Sequence, residues 1–125
     1  MSLSTELSGI VGARHVLERP TELLVYENDG LPGYRKRPRL AVFPGTREET
    51  IAVVRALHAA RSPFVPRGAG TGLSGGALAD DVVLVGLQRM RKILLVDPAR
   101  RIAVVEPGVV NTNLTKAASP FGLHY

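Results

Sequence analysis

The sequence predicts an α/β (α+β) fold, a small parallel β-α-β layer followed by the start of an antiparallel one, and three observations carry that reading. Leu40-Ala41-Val42-Phe43 and Phe64-Val65-Pro66 are short apolar runs separated by a helical pattern. Val82-Val83-Leu84-Val85 adds a third run of β-branched character. Beyond it, Ile93-Leu94-Leu95-Val96 and Ile102-Ala103-Val104-Val105 flank Asp97-Pro98-Ala99-Arg100-Arg101, the pattern of an antiparallel hairpin. A strand, a helix and a strand imply a parallel pair with a right-handed crossover.

The elements follow in order. Residues 4–10 predict a short helix broken near Gly9 and Gly12, and Thr21-Glu22-Leu23-Leu24 starts another behind Pro20. Asn28-Asp29-Gly30 and Leu31-Pro32-Gly33 form a turn-rich stretch that leads through Arg35-Lys36-Arg37-Pro38-Arg39 to the first strand. Thr46-Arg47-Glu48-Glu49 matches a capping box, after which Ile51, Val54 and Leu57 recur at helical spacing, with Val53, Ala56 and Ala60 widening the face. Ser62-Pro63 ends that helix. After Pro107-Gly108, Asn111 or Thr112 caps a last helix carrying Leu114, Ala117 and Ala118, until Pro120 and Gly122 stop it. The expected division is an N-terminal helical and turn segment over residues 1–39, a first subdomain over 40–92 and the start of a second over 93–125.

Size and composition bound the function. A chain of 125 residues, 45% hydrophobic, holds one domain with one site. With no cysteine there is no disulfide, thiolate zinc site or cysteine nucleophile. No apolar run is long enough to span a bilayer, and Met1-Ser2-Leu3-Ser4-Thr5-Glu6 lacks a basic and then apolar leader, so a cytoplasmic protein without direct membrane insertion is expected. A net charge of +5 favours an anionic ligand. The basic cluster at residues 35–39 is short, and with no Trp, three Phe and three Tyr the chain offers few stacking platforms. It reads as a solvated turn, and no nucleic-acid partner is expected; the rival reading predicts salt-dependent affinity lost on replacing Arg35, Lys36, Arg37 and Arg39.

The densest signal is Pro66-Arg67-Gly68-Ala69-Gly70-Thr71-Gly72-Leu73-Ser74-Gly75-Gly76, which holds five of the 13 glycines directly after a strand. Glycine tolerates positive φ and carries no Cβ, so successive amides can converge on a phosphate, best a dinucleotide's pyrophosphate. Arg67 and Thr71 add a cation and a hydroxyl. A plain connecting turn is the competing reading. Gly70-Thr71-Gly72-Leu73-Ser74-Gly75 satisfies the Rossmann spacing, but strand residues 82–85 occupy the place of the required helix. Gly72-Leu73-Ser74-Gly75-Gly76 satisfies the nucleophile-elbow spacing, with Asp97 and His124 downstream, but no strand runs directly into Ser74. No lysine occurs between Lys36 and Lys92 to complete a Walker loop. His15, His58 and His124 lie far apart, so no metal set is expected.

With its flanks, the loop from Val65 to Gly76 resembles the pyrophosphate loop of FAD-linked oxidases of the vanillyl-alcohol-oxidase and p-cresol-methylhydroxylase type. The branch it resembles most contains the flavoprotein subunit of glycolate oxidase and its D-lactate dehydrogenase relatives. The resemblance runs from about Leu23 to Tyr125 and takes in Glu27-Asn28-Asp29-Gly30-Leu31, Arg89-Met90-Arg91-Lys92-Ile93 and Val105-Glu106-Pro107-Gly108-Val109. It implies that FAD lies between two subdomains, with Pro66, Arg67, Gly68, Ala69, Gly70, Thr71, Gly72, Leu73, Ser74, Gly75 and Gly76 as contacts, and Gly108 and Val109 at the cleft. The loop contains no histidine for a covalent tether, so non-covalent FAD is implied. The chain ends midway through what the family uses as a flavin domain, which implies an N-terminal fragment without catalytic side chains of its own. By the same resemblance it serves an oxidoreductase of small 2-hydroxy acids, glycolate or D-lactate type, as a homo-oligomer or beside other oxidase subunits. The alternative is a non-catalytic interaction module that assembles through the unfinished edge at residues 102–105.

Overall fold

A computed structural model describes residues 1–125, which divide into two units, Met1–Arg89 and Met90–Tyr125. The first unit opens with helix α1 (Leu3–Val11), where the Ser2 hydroxyl accepts the Thr5 amide at 3.2 Å and Gly12, at φ 89°, ends the helix. A two-residue strand β1 (Val16–Leu17) follows, which the sequence pattern did not predict. Helix α2 (Pro20–Leu23) starts on Pro20, whose fixed φ and missing N–H suit a first turn. Strand β2 (Leu40–Val42), helix α3 (Arg47–Ala59), strand β3 (Phe64–Arg67) and strand β4 (Val83–Gly86) complete the unit.

The sheet order is β1-β2-β4-β3, with β1 antiparallel and the other three strands parallel. The expected parallel relation of β2 and β3 is present, but they are not neighbours. β4 inserts between them, pairing Leu40 with Val83 on one side and Phe64 with Val83 on the other. The reason lies in burial: all four β4 residues are buried, the profile of a central strand covered on both faces.

Period-two alternation splits the core. Leu40, Val42, Val83 and Val85 meet Leu7 and Val11 of α1 and Val53, Ala56 and Leu57 of α3 on one face. Ala41, Phe43 and Leu84 meet Leu23, Tyr26 and Ala79 on the other. Residues 1–39 thus pack onto the same sheet as the β-α-β layer. On α3 the buried stripe is Val53, Ala56 and Leu57, whereas Ile51 and Val54, expected on that face, are exposed. The cap is also modified: Thr46 Oγ1 accepts the Glu49 amide at 3.1 Å, but the Glu49 carboxylate reaches back to the Gly45 amide at 2.6 Å instead of that of Thr46.

In the second unit, strands β5 (Ile93–Asp97) and β6 (Ile102–Val105) form the expected antiparallel hairpin, with an irregularity between Ile93 and Leu95. Asp97 Oδ1 accepts the Arg100 amide at 3.1 Å and Arg101 takes φ 56°, which closes the turn. Helix α4 (Asn111–Ala118) buries Leu114 and Ala118 and stops before Gly122 at φ 70°. Its N-cap is Val110, with no side-chain cap bond, so neither Asn111 nor Thr112 caps it as expected; both fall inside the first turn. No helix is long and apolar enough to cross a membrane.

The basic cluster is solvent-exposed, as expected, but its cations are all paired. The Arg35 and Arg37 guanidinium groups both bind the Glu27 carboxylate, Arg37 Nε at 2.9 Å, while Lys36 pairs with Asp80 at 3.2 Å and Arg39 with Asp81 at 3.4 Å. Glu27 itself is 2% exposed. Hydrogen bonds from Arg37 and then Arg35 hold its carboxyl below the usual range, against the opposing effect of burial. A carboxyl depressed in the folded state stabilises the fold above its unfolded value of ~4.3, and the contribution is lost as pH falls through the folded pKa. Glu27→Gln is therefore expected to lower Tm at neutral pH and to flatten the loss of Tm as pH falls below the unfolded value of ~4.3. Circular dichroism melts at neutral pH and through the acid range below it measure both effects.

Candidate functional site

The glycine loop lies at the carboxyl ends of the parallel strands β2, β4 and β3, the edge where open α/β sheets collect ligands. β3 feeds straight into it through Arg67, and the chain returns through residues 77–82 to β4 rather than through a helix, so the unit is not a Rossmann one. Gly70 and Gly75 take φ 73° and 79°, conformations open to glycine at little cost. The loop walls a concavity of about 410 Å³ running from Pro66 to Ala77.

No amide from residue 68 to residue 74 donates to an acceptor in the protein. Their direction follows from the peptide unit. The Gly72 carbonyl accepts the Gly30 amide at 2.8 Å, and no peptide bond is cis. In a trans peptide the N–H opposes the C=O, so the Leu73 amide points away from Gly30. The Cβ positions of Gly68, Gly72 and Gly76 meet nothing within 4 Å. The loop thus offers unpaired donors beside open space, which suits an anion.

Three side chains and backbones hold that shape from behind. Because Arg67 is the last residue of β3 and shares the face of Val65, its side chain enters the core beside Tyr26 instead of the loop mouth. It is 8% exposed. Its Nη1 donates to the Asn28 carbonyl at 2.8 Å, and more distantly to those of Ala77 at 3.4 Å and Tyr26 at 3.5 Å. The Tyr26 ring lies 5.7 Å from the guanidinium carbon. Burial lowers the Arg67 pKa, the only cause that acts in that direction. The guanidinium read from the sequence as a phosphate cation is therefore committed to carbonyls. Likewise the Gly75 amide, expected among the donors, is taken by Asp29 Oδ2 at 2.9 Å, while Asp29 Oδ1 accepts the Leu31 amide at 2.9 Å. The Thr71 and Ser74 side chains are exposed and make no hydrogen bond within the protein.

Gly108 and Val109 belong to the second unit, where the Gly108 amide donates to the Met90 carbonyl at 2.7 Å and the Val109 amide to that of Glu106 at 3.2 Å. The structure holds no group of three or more His, Cys, Asp or Glu residues placed for a metal. The sequence reading missed Tyr26, Asp29 and Gly30 as parts of the site. Residues 28–33 read as a turn, and residues 27–31 entered the family resemblance, but nothing in their local pattern says which loop they touch.

Gly30 provides a direct test of this packing. A Cβ built there would fall on the Thr71 carbonyl, a backbone group that cannot swing aside. Gly30→Ala should cost about 1–3 kcal/mol, whereas Gly68→Ala, facing open space, should leave stability within ~0.5 kcal/mol. Urea titrations of the two variants measure the contrast.

Comparison with known proteins gives this geometry its context. A family described as FAD binding domain matches residues 38–125. The glycolate oxidase subunit GlcD of Escherichia coli strain K12 is 41% identical over 126 residues, covering 100% of this chain and 24% of that protein. The D-2-hydroxyglutarate dehydrogenase of Stutzerimonas stutzeri strain A1501 is 35% identical over 125 residues, covering 99% and 27%. Among solved structures, p-cresol methylhydroxylase with substrate bound superposes with a TM-score of 0.85 at 25% identity, covering 97% of this chain and 24% of that one. The chain spans about a quarter of the length of these relatives. The family resemblance drawn from the loop and its flanks holds, and the comparisons favour a cofactor domain over an interaction module. With a family match over residues 38–125 and a glycine loop of this form at the strand ends, the chain belongs to the FAD binding domain family.

Proposed function

We propose that this chain holds the diphosphate of a non-covalently bound FAD in a flavin-dependent oxidoreductase of small 2-hydroxy acids, of glycolate or D-lactate type. The carrying observation is the loop at the carboxyl edge of the sheet, with unpaired amides over residues 68–74 and open Cβ positions at Gly68, Gly72 and Gly76. A diphosphate fits such a donor set because each oxygen can take an amide without a side chain intervening. Flavin supplies the hydride-accepting chemistry when bound. The chain's own part is to anchor the phosphates and keep the loop in shape. The 2-hydroxy-acid class is supported by the names of the relatives, glycolate oxidase and D-2-hydroxyglutarate dehydrogenase. Assembly with further oxidase subunits is consistent with the first of them being a subunit. Non-covalent attachment is supported by the absence of histidine from residues 66–76.

Affinity of the 125-residue chain alone is expected to be low. Three amide bonds to a charged group give roughly 1.5 to 3 kcal/mol each, or about 5 to 9 in all, against about 4 to 15 lost on association. Calorimetric titration should give weak, saturable FAD binding, a Kd at least about tenfold weaker in Gly68→Ala and Gly72→Ala, and unchanged melting of both variants. Absence of FAD binding, or equal affinity in the variants, would sink the reading. Acid precipitation of the loaded protein should leave the flavin in the supernatant. Turnover of glycolate or D-lactate is expected only when the chain is joined to the remainder of such an oxidase.

A further inference from the structure

We propose that Asp29 is a positioning residue for the diphosphate, its carboxylate clasping the far end of the glycine loop so that residues 68–74 keep their amides presented. The role rests on the FAD reading above and goes beyond it, because Asp29 lies outside the span 38–125 that the family match covers.

The two carboxylate oxygens divide the work. Oδ1 accepts the Leu31 amide at 2.9 Å and locks the turn on which Asp29 sits. Oδ2 accepts the Gly75 amide at 2.9 Å, where the loop turns back at φ 79°. The adjacent Gly30 amide holds the Gly72 carbonyl at 2.8 Å. Neighbouring residues of one turn thus grip the loop at two points three residues apart, and the Arg67 guanidinium ties the same segment to the loop's base through the Asn28 and Ala77 carbonyls. A run with five glycines has more backbone freedom to lose than the same run built from other residues. A loop that presents amides to a ligand therefore needs its shape fixed by groups that are not the ligand.

The sign of the effect separates this role from simple proximity. A carboxylate near a diphosphate repels it, so removing the charge should tighten binding if Asp29 acted only through its field. The clasp predicts the opposite. Asp29→Asn keeps size and shape but has a single acceptor oxygen, so it can serve the Leu31 amide or the Gly75 amide and sets an NH₂ group against the other.

The experiment compares wild type, Asp29→Asn and Glu27→Gln, each as the full chain, by amide exchange at Gly75 in ¹⁵N spectra, FAD calorimetry and melting. Glu27→Gln loosens the same segment through a contact that does not touch the loop, so it reports what destabilisation alone does. Expected are Gly75 exchange and FAD Kd each raised about tenfold or more in Asp29→Asn, and FAD Kd in Glu27→Gln within about threefold of wild type. Equal or tighter FAD binding in Asp29→Asn, unchanged Gly75 exchange, or affinity falling in parallel with Tm in both variants would overturn the clasp. A wild-type chain that binds no FAD overturns the functional reading and this role with it, whereas a wild type that binds while Asp29→Asn binds equally overturns the clasp alone.

Discussion

A buried guanidinium organises the first unit. Arg67 closes strand β3, opens the glycine loop and directs its charge at the carbonyls of Tyr26, Asn28 and Ala77. No carboxylate pairs with it, so carbonyl oxygens replace the water it gives up, and hydrogen bonds to a charged group are worth roughly 1.5–3 kcal/mol each. All three contacts are made by one guanidinium nitrogen, Nη1, with Asn28 at 2.8 Å the shortest. One side chain thereby couples the N-terminal segment, the end of a strand and the far end of the loop.

This coupling sorts the glycines by purpose. At Gly70 a Cβ would fall on the Arg67 guanidinium, and at Gly30 on the Thr71 carbonyl, so these positions are bare because the protein packs against them. At Gly68, Gly72 and Gly76 the space is open, and bareness there leaves room for something outside the chain. The same short stretch thus combines a packed back and an accessible front. The back is supplied by residues 26–31, and the front lies at the carboxyl ends of three parallel strands, where the amides of residues 68–74 stay unpaired within the protein.

Charge follows a related logic. The net +5 is not concentrated in the conspicuous basic run, whose four cations each find a carboxylate: Arg35 and Arg37 on Glu27, Lys36 on Asp80, Arg39 on Asp81. These pairs staple the segment after the turn to the segment after the loop and to the buried Glu27. The exposed ones add little energy individually, but Glu27, shielded from solvent and held by two guanidinium groups, fixes where the turn at residues 28–33 begins. In the proposed reading, anion affinity rests on main-chain donors more than on this paired cluster.

Much of this was legible in the residues themselves. The apolar runs, the helical pattern over residues 47–59, the Asp-Pro turn of the hairpin and the glycine loop each depend on local chemistry, and the structure places an element at each of them. Strand β1 escaped because two residues carry no periodicity. The exposed Ile51 and Val54 were misjudged because apolar spacing marks a stripe without saying which side of it the sheet will cover. What the sequence by itself determined was the set of local elements and the presence of a glycine-rich loop free to take positive φ and open to close approach, since φ freedom and missing Cβ atoms are properties of the residues alone. Only the tertiary structure decided that β4 lies between β2 and β3, that Arg67 turns inward and that Asp29 takes the Gly75 amide, because strand order, the face a terminal strand residue presents and contacts across 46 positions of chain depend on how distant segments pack.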